Sequence, residues 1–141
     1  MGYSVQLIKG EVQIAASNAE AAVAAIRALD RQDDLKTGWS TERGKHWAFT
    51  NPDNVRNART LSEYLTAFRF LPIVAPDGDL LGVELDGGTR KAGDEHHLWT
   101  VLAPYVEPGG EMIWAGEDEV LTRWSFDGHG LTVSKGRMIF D

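Results

Sequence analysis

The spacing of hydrophobic and polar positions changes along the chain, and each change marks an element. Tyr3, Val5 and Leu7 alternate with Ser4 and Gln6, the two-residue period of a half-buried strand. Gly10 interrupts the alternation, and Val12 and Ile14 resume it. This predicts one strand with a bulge, or two short strands, over about residues 3–15. Ser17 followed by Glu20 is a capping-box pattern. Behind it Val23, Ile26 and Leu29 fall at helical spacing and predict a buried stripe. Residues 30–45 then lose all periodicity and gather turn formers, which predicts a long loop, functional or mobile. Residues 46–49 fit a short strand, and Asn51-Pro52-Asp53-Asn54 a turn. Thr60 with Glu63 gives a second capping box, opening a helix with Leu61, Tyr64, Leu65 and Phe68 on one face.

From Phe70 the pattern changes. Residues 70–74 and 80–85 flank Pro76-Asp77-Gly78-Asp79 and read as a hairpin. Asp94 stands where it can cap a third helix carrying Leu98, Trp99, Val101, Leu102 and Tyr105, which Pro104 should kink or end. Strand candidates follow at 111–115, 120–126 and 131–134, with a further one at 137–140; Asp127-Gly128-His129-Gly130 serves as a hairpin loop. Short links favour antiparallel pairing. The expected fold is a single α+β domain over residues 1–141, a mainly antiparallel sheet with about three helices packed on one face.

Composition narrows the chemistry. At 141 residues and 43% hydrophobic the chain can bury a core without staples. It contains no cysteine, which excludes disulfides, thiol catalysis and cysteine-ligated zinc and suits a reducing, cytoplasmic setting. The first residues show no basic region followed by an apolar run, so no secretory signal is expected. Gln6 stands where a myristoylation signal wants Ser or Thr. The apolar run 21–26 falls far short of the roughly 20 residues of a spanning helix, so no membrane partner is expected. The net charge of −7 is uneven: residues 1–70 carry nine Lys/Arg against eight Asp/Glu, and residues 71–141 carry five against thirteen. Such an acidic second half disfavours direct contact with nucleic acid and reads as a solvated face.

Few residues suggest a site. Asp94-Glu95-His96-His97, with His46 from the loop, is the densest titratable set. Adjacent helical residues point about 100° apart, so His96 and His97 cannot share one ion without distortion, and no i, i+4 histidine pair exists. Asp94 and Glu95 also suit a helix N-terminus, as cap and as partner of the dipole. Gly38-Trp39-Ser40-Thr41-Glu42 lacks the last glycine of a nucleophile elbow, and Gly128-His129-Gly130 lacks the third glycine of a dinucleotide fingerprint. No phosphate-loop motif occurs, and no catalytic residue, metal or cofactor is assigned. Of five tryptophans, Trp99, Trp114 and Trp124 fall in regular elements and are expected in the core. Trp39 and Trp47 flank the long loop and are the candidate partner-binding aromatics, unless they fold back over the sheet.

The sequence around the third helix resembles a group of small uncharacterised proteins of actinobacterial genomes and their phages. The resemblance is carried by Gly93-Asp94-Glu95, Leu98, Leu102-Ala103-Pro104-Tyr105-Val106-Glu107, Gly109, Gly116-Glu117-Asp118, Trp124 and Phe126. It covers about the last half of the chain, with a weaker echo in the first strand and helix. It implies a shared α+β domain and a phage or mobile-element origin, and it transfers no activity. Three functional readings stand open. The leading one is a non-catalytic protein-binding module, such as a phage-encoded modulator of a host protein. The second is a small hydrolase or transferase built on His46, Asp94, Glu95, His96 or His97. The third is an acidic nucleic-acid mimic.

Overall fold

The computed structural model describes residues 3–137; the strand candidate at 137–140 therefore lies almost wholly outside the described residues. Among the described residues nine strands and four α-helices follow in the order β1 (Ser4–Glu11), α1 (Ala19–Asp30), β2 (Ser40–Thr41), β3 (Gly44–Lys45), α2 (Pro52–Asn57), α3 (Leu61–Ala67), β4 (Phe70–Val74), β5 (Leu80–Leu85), β6 (Thr89–Lys91), α4 (Glu95–Leu102), β7 (Glu111–Gly116), β8 (Val120–Phe126) and β9 (Leu131–Arg137). The main sheet runs β6-β1-β7-β8-β9, and β2-β3 and β4-β5 form two separate hairpins. Every pairing is antiparallel, so the fold is α+β.

The two-residue period explains the inner face of this sheet. Val5, Met112, Trp114, Trp124 and Phe126 are buried beneath the helices and the β4-β5 hairpin. Trp99 of α4 meets Phe126 edge-on with ring centroids 6.2 Å apart, and Phe70 of β4 meets Trp99 and Trp114 at 5.6 and 6.2 Å. Helix α1 buries Ala22, Val23, Ile26 and Leu29, and packs against α3 and α4. Helix α3 buries Leu61, Tyr64 and Leu65, with Phe68 just beyond it, as its spacing predicts.

Several local expectations are corrected. The bulge in β1 falls between Leu7 and Lys9 rather than at Gly10. Gly10 marks a close crossing instead: a Cβ there would stand 2.2 Å from the Val83 carbonyl oxygen, and one on Gly82 would stand 2.7 Å from the Gly10 carbonyl oxygen. Ser17 and Glu20 form no capping box. A 3-10 turn at Ala16–Asn18 leads into α1, and Asp79 of the β4-β5 turn accepts the Ala16 N–H at 2.7 Å. The Thr60–Glu63 box is present on both sides. Residues 46–49 form no strand, and Asn51 caps α2 rather than closing a bare turn, with Pro52 at the first helical position.

Candidate functional site

The segment predicted as a long loop is built and anchored. After α1 a 3-10 turn at Asp33–Leu35 leads to the β2-β3 hairpin. Backbone bonds extend this hairpin on both sides, Gly38 N–H to the His46 carbonyl at 3.0 Å and His46 N–H to the Trp39 carbonyl at 2.9 Å. Gly38 is required there, because a Cβ would stand 2.3 Å from the His46 carbonyl oxygen.

The anchor comes from a distant residue. Asp94, 2% exposed, does not cap α4 with its side chain. Its carboxylate accepts the Thr37 N–H at 3.0 Å, the Thr37 hydroxyl at 2.7 Å and the Ala48 N–H at 2.8 Å. One buried carboxylate thus ties both ends of the hairpin segment to the start of α4. Glu95, also buried, accepts the Gly93 N–H at 2.9 Å and faces Arg90 at 3.6 Å. Arg90 donates to the Phe68 carbonyl at 2.8 Å, and burial pulls its guanidinium below its usual value against the pull of Glu95.

Two tryptophans that sequence reasoning grouped together separate here. Trp39 is 46% exposed and lies against the His46 ring, centroids 5.1 Å apart. Trp47 is 2% exposed and belongs to the core, which removes it from any partner-binding surface. Its indole N–H donates to Asp30 at 2.9 Å, and the Lys36 ammonium sits 5.3 Å above its ring. Lys36 is itself buried and paired with Asp33 at 2.8 Å and Asp30 at 3.4 Å. Asp33 is held below the usual carboxylate range by that hydrogen bond and by the charge of Lys36.

The titratable set does not gather into a site. His46 borders the hairpin and contacts the Thr41 hydroxyl at 2.8 Å. Asp94 and Glu95 are consumed by structural bonds. The exposed His96 ring lies 5.5 Å from Trp124, and the His97 ring 6.1 Å from Trp47. Among the described residues no group of three or more His, Asp or Glu could hold a metal ion.

What the structure assembles instead is a cleft of about 300 Å³ between the β2-β3 hairpin and α2. Lys36, Arg43, Lys45, His46 and Arg56 line it, with Asp30 as the one carboxylate among the lining residues. A second recess of about 310 Å³ adjoins it and shares Arg43, His46, Pro52 and Arg56; Trp39 forms its wall. Arg56 is paired with Asp53, whereas Arg43 and Lys45 have no carboxylate within 4 Å among the described residues. Sequence reasoning missed this cleft. Its signal was Lys36, Arg43, Lys45 and Arg56 within a short stretch of an acidic chain. A second surface also escaped notice: Leu71, Ile73, Val74 and Leu81 of the β4-β5 hairpin are exposed. No described helix is long and apolar enough to cross a membrane. Comparison with known proteins finds no matching family model, no matching curated protein and no matching solved structure.

Proposed function

We propose that this chain is a non-catalytic, cytoplasmic protein-binding module that engages its partner through the face carrying Trp39, in keeping with a phage-encoded modulator of a host protein. The observation that carries this reading is the setting of Trp39. A large aromatic stands out of the core on a short hairpin whose backbone is bonded on both sides of it. Such a side chain gains contact area at small cost in its own conformational entropy. The enzymatic reading lacks support because its carboxylates, Asp94 and Glu95, are buried and occupied. The mimicry reading lacks support because carboxylates of the acidic half make internal bonds, Asp79 to Ala16 and Asp94 to Thr37 and Ala48.

The test compares wild type with Trp39→Ala in capture from native cytoplasm, alongside thermal melts. The expected result is a partner lost at unchanged melting temperature. Retention of the same partner by a Trp39→Ala protein that melts several degrees lower would overturn the reading.

A further inference from the structure

We propose that the two adjoining recesses between the β2-β3 hairpin and α2 form a binding site for a phosphate monoester with a flat apolar body. The inner recess supplies the charge. It gathers Lys36, Arg43, Lys45 and Arg56 against Asp30 alone, in a protein of net charge −7. Lys36 is committed to Asp30 and Asp33, and Arg56 to Asp53. That leaves Arg43 and Lys45 outside any ion pair among the described residues, both lining the cleft from the hairpin, with Asp33 acting on Lys45 only at longer range. Two cations outside any ion pair, with Arg56 among the same lining residues, match the double charge of a phosphate monoester better than the single charge of a carboxylate. The planar guanidinium of Arg43 suits bidentate contact with phosphate oxygens, and Lys45 adds a point charge.

The outer recess supplies the body's contact. It shares Arg43, His46, Pro52 and Arg56 with the inner one, and Trp39, Thr41, Glu42 and Asp53 line it alone. A group whose phosphate lies against Arg43 and Lys45 therefore directs its remainder towards the Trp39 indole. Each recess alone, at about 300 and 310 Å³, exceeds what a bare phosphate fills and lies at the low end of ordinary ligand clefts. This site stands apart from the protein-docking reading, because a small probe tests it with no partner present.

The experiment titrates phenyl phosphate, inorganic phosphate and benzoate into the full chain at low ionic strength, followed by amide chemical shifts. Phenyl phosphate should bind with a Kd of about 1 mM or tighter and shift residues 38–46. Inorganic phosphate should bind more weakly and benzoate more weakly still. Arg43→Gln with Lys45→Gln should weaken phenyl phosphate at least about tenfold, since charged hydrogen bonds are lost. Both residues are exposed and make no ion pair among the described residues, so the fold should be retained, and Arg56→Gln gives an independent reduction. Lys135→Gln, in a separate basic recess beside Arg123 and Arg137, should change nothing. A phosphotyrosine peptide that binds more tightly than phenyl phosphate would assign the ester to a protein partner, and equal affinity would assign it to a free small molecule. Absence of saturable shifts at residues 38–46, or binding indifferent to Arg43 and Lys45, overturns the proposal.

Discussion

Asp94→Ala is the substitution on which the architecture of the candidate site turns. The native carboxylate is buried and accepts three hydrogen bonds from the two ends of the hairpin segment. Truncation removes all three. Thr37 is exposed, so its N–H and hydroxyl regain water. Ala48 is buried, so its N–H is left without a partner, at about 1–3 kcal/mol. Each hydrogen bond to a charged acceptor contributes about 1.5–3 kcal/mol, and the nearby Arg90–Glu95 pair is left in place. A loss of about 3–5 kcal/mol in urea unfolding is expected for Asp94→Ala. Asp94→Asn keeps one carbonyl acceptor but turns an NH₂ towards a donor, and should fall between the variant and wild type. Because the same carboxylate holds the segment that carries Trp39, hydrogen exchange at the Ala48 amide should accelerate by more than the global destabilisation accounts for. Asp94→Ala losing less than about 1 kcal/mol, with the Ala48 amide protected as before, would refute this account of how the hairpin is held.

Other perturbations test the rest of the fold. Gly10→Ala drives a Cβ into the Val83 carbonyl at the β1–β5 crossing and should cost more than about 2 kcal/mol, whereas Gly136→Ala, which meets nothing within 4 Å, should stay within about 0.5 kcal/mol, both by urea melts. Leu102→Ala, fully buried in α4, should cost about 2–5 kcal/mol, and the exposed His96→Ala less than about 0.5 kcal/mol; equal costs would mean that the helix face is wrong. The Glu63 carboxyl is held below its ordinary range by the Arg59 and Thr60 backbone N–H groups. Its contribution to stability is therefore present above the ordinary glutamate value and is lost as pH falls through the lowered folded value. The stability gap between wild type and Glu63→Ala should shrink on acidification through that window, and a gap independent of pH would contradict it.

The elements legible in the sequence are those whose signal is local. The alternation of Val5 and Leu7, the stripe of Val23, Ile26 and Leu29, and the Thr60–Glu63 box each specify structure within a few residues, and each appears as read. The misreadings share the opposite property. Ser17 and Glu20 carry a capping pattern, but Asp79 reaches the start of that helical segment across 63 positions and fixes the Ala16 N–H instead. Asp94 has the right residue type for a cap, yet its carboxylate is taken by donors 46 and 57 positions away. Helix α2 spans only six residues, too few to show a period, and Asn51 and Pro52 were the marks it left. Trp39 and Trp47 stand eight positions apart in similar company, and only the fold decides that Asp30 and Lys36 bury one and leave the other outside.

The uneven charge gains a meaning that its total does not convey. Taken as a sum, the acidic second half suggests a solvated face that steers basic partners. Part of that charge bonds back across the chain: Asp79 to Ala16, Asp94 to Thr37 and Ala48, Glu111 to Lys9 at 2.7 Å, and Asp118 to the Tyr3 hydroxyl. These bonds join the acidic half to the first. Three carboxylates of the first half are likewise spent, Asp30 and Asp33 on Lys36 and Asp53 on Arg56. What remains beside the hairpin is Arg43 and Lys45 with no carboxylate within 4 Å among the described residues, next to an exposed Trp39. A chain with seven surplus negative charges could neutralise the two hairpin cations with two nearby substitutions. That it instead places them at a cleft lined also by the paired Lys36 is the physical reason to look there for an anionic ligand.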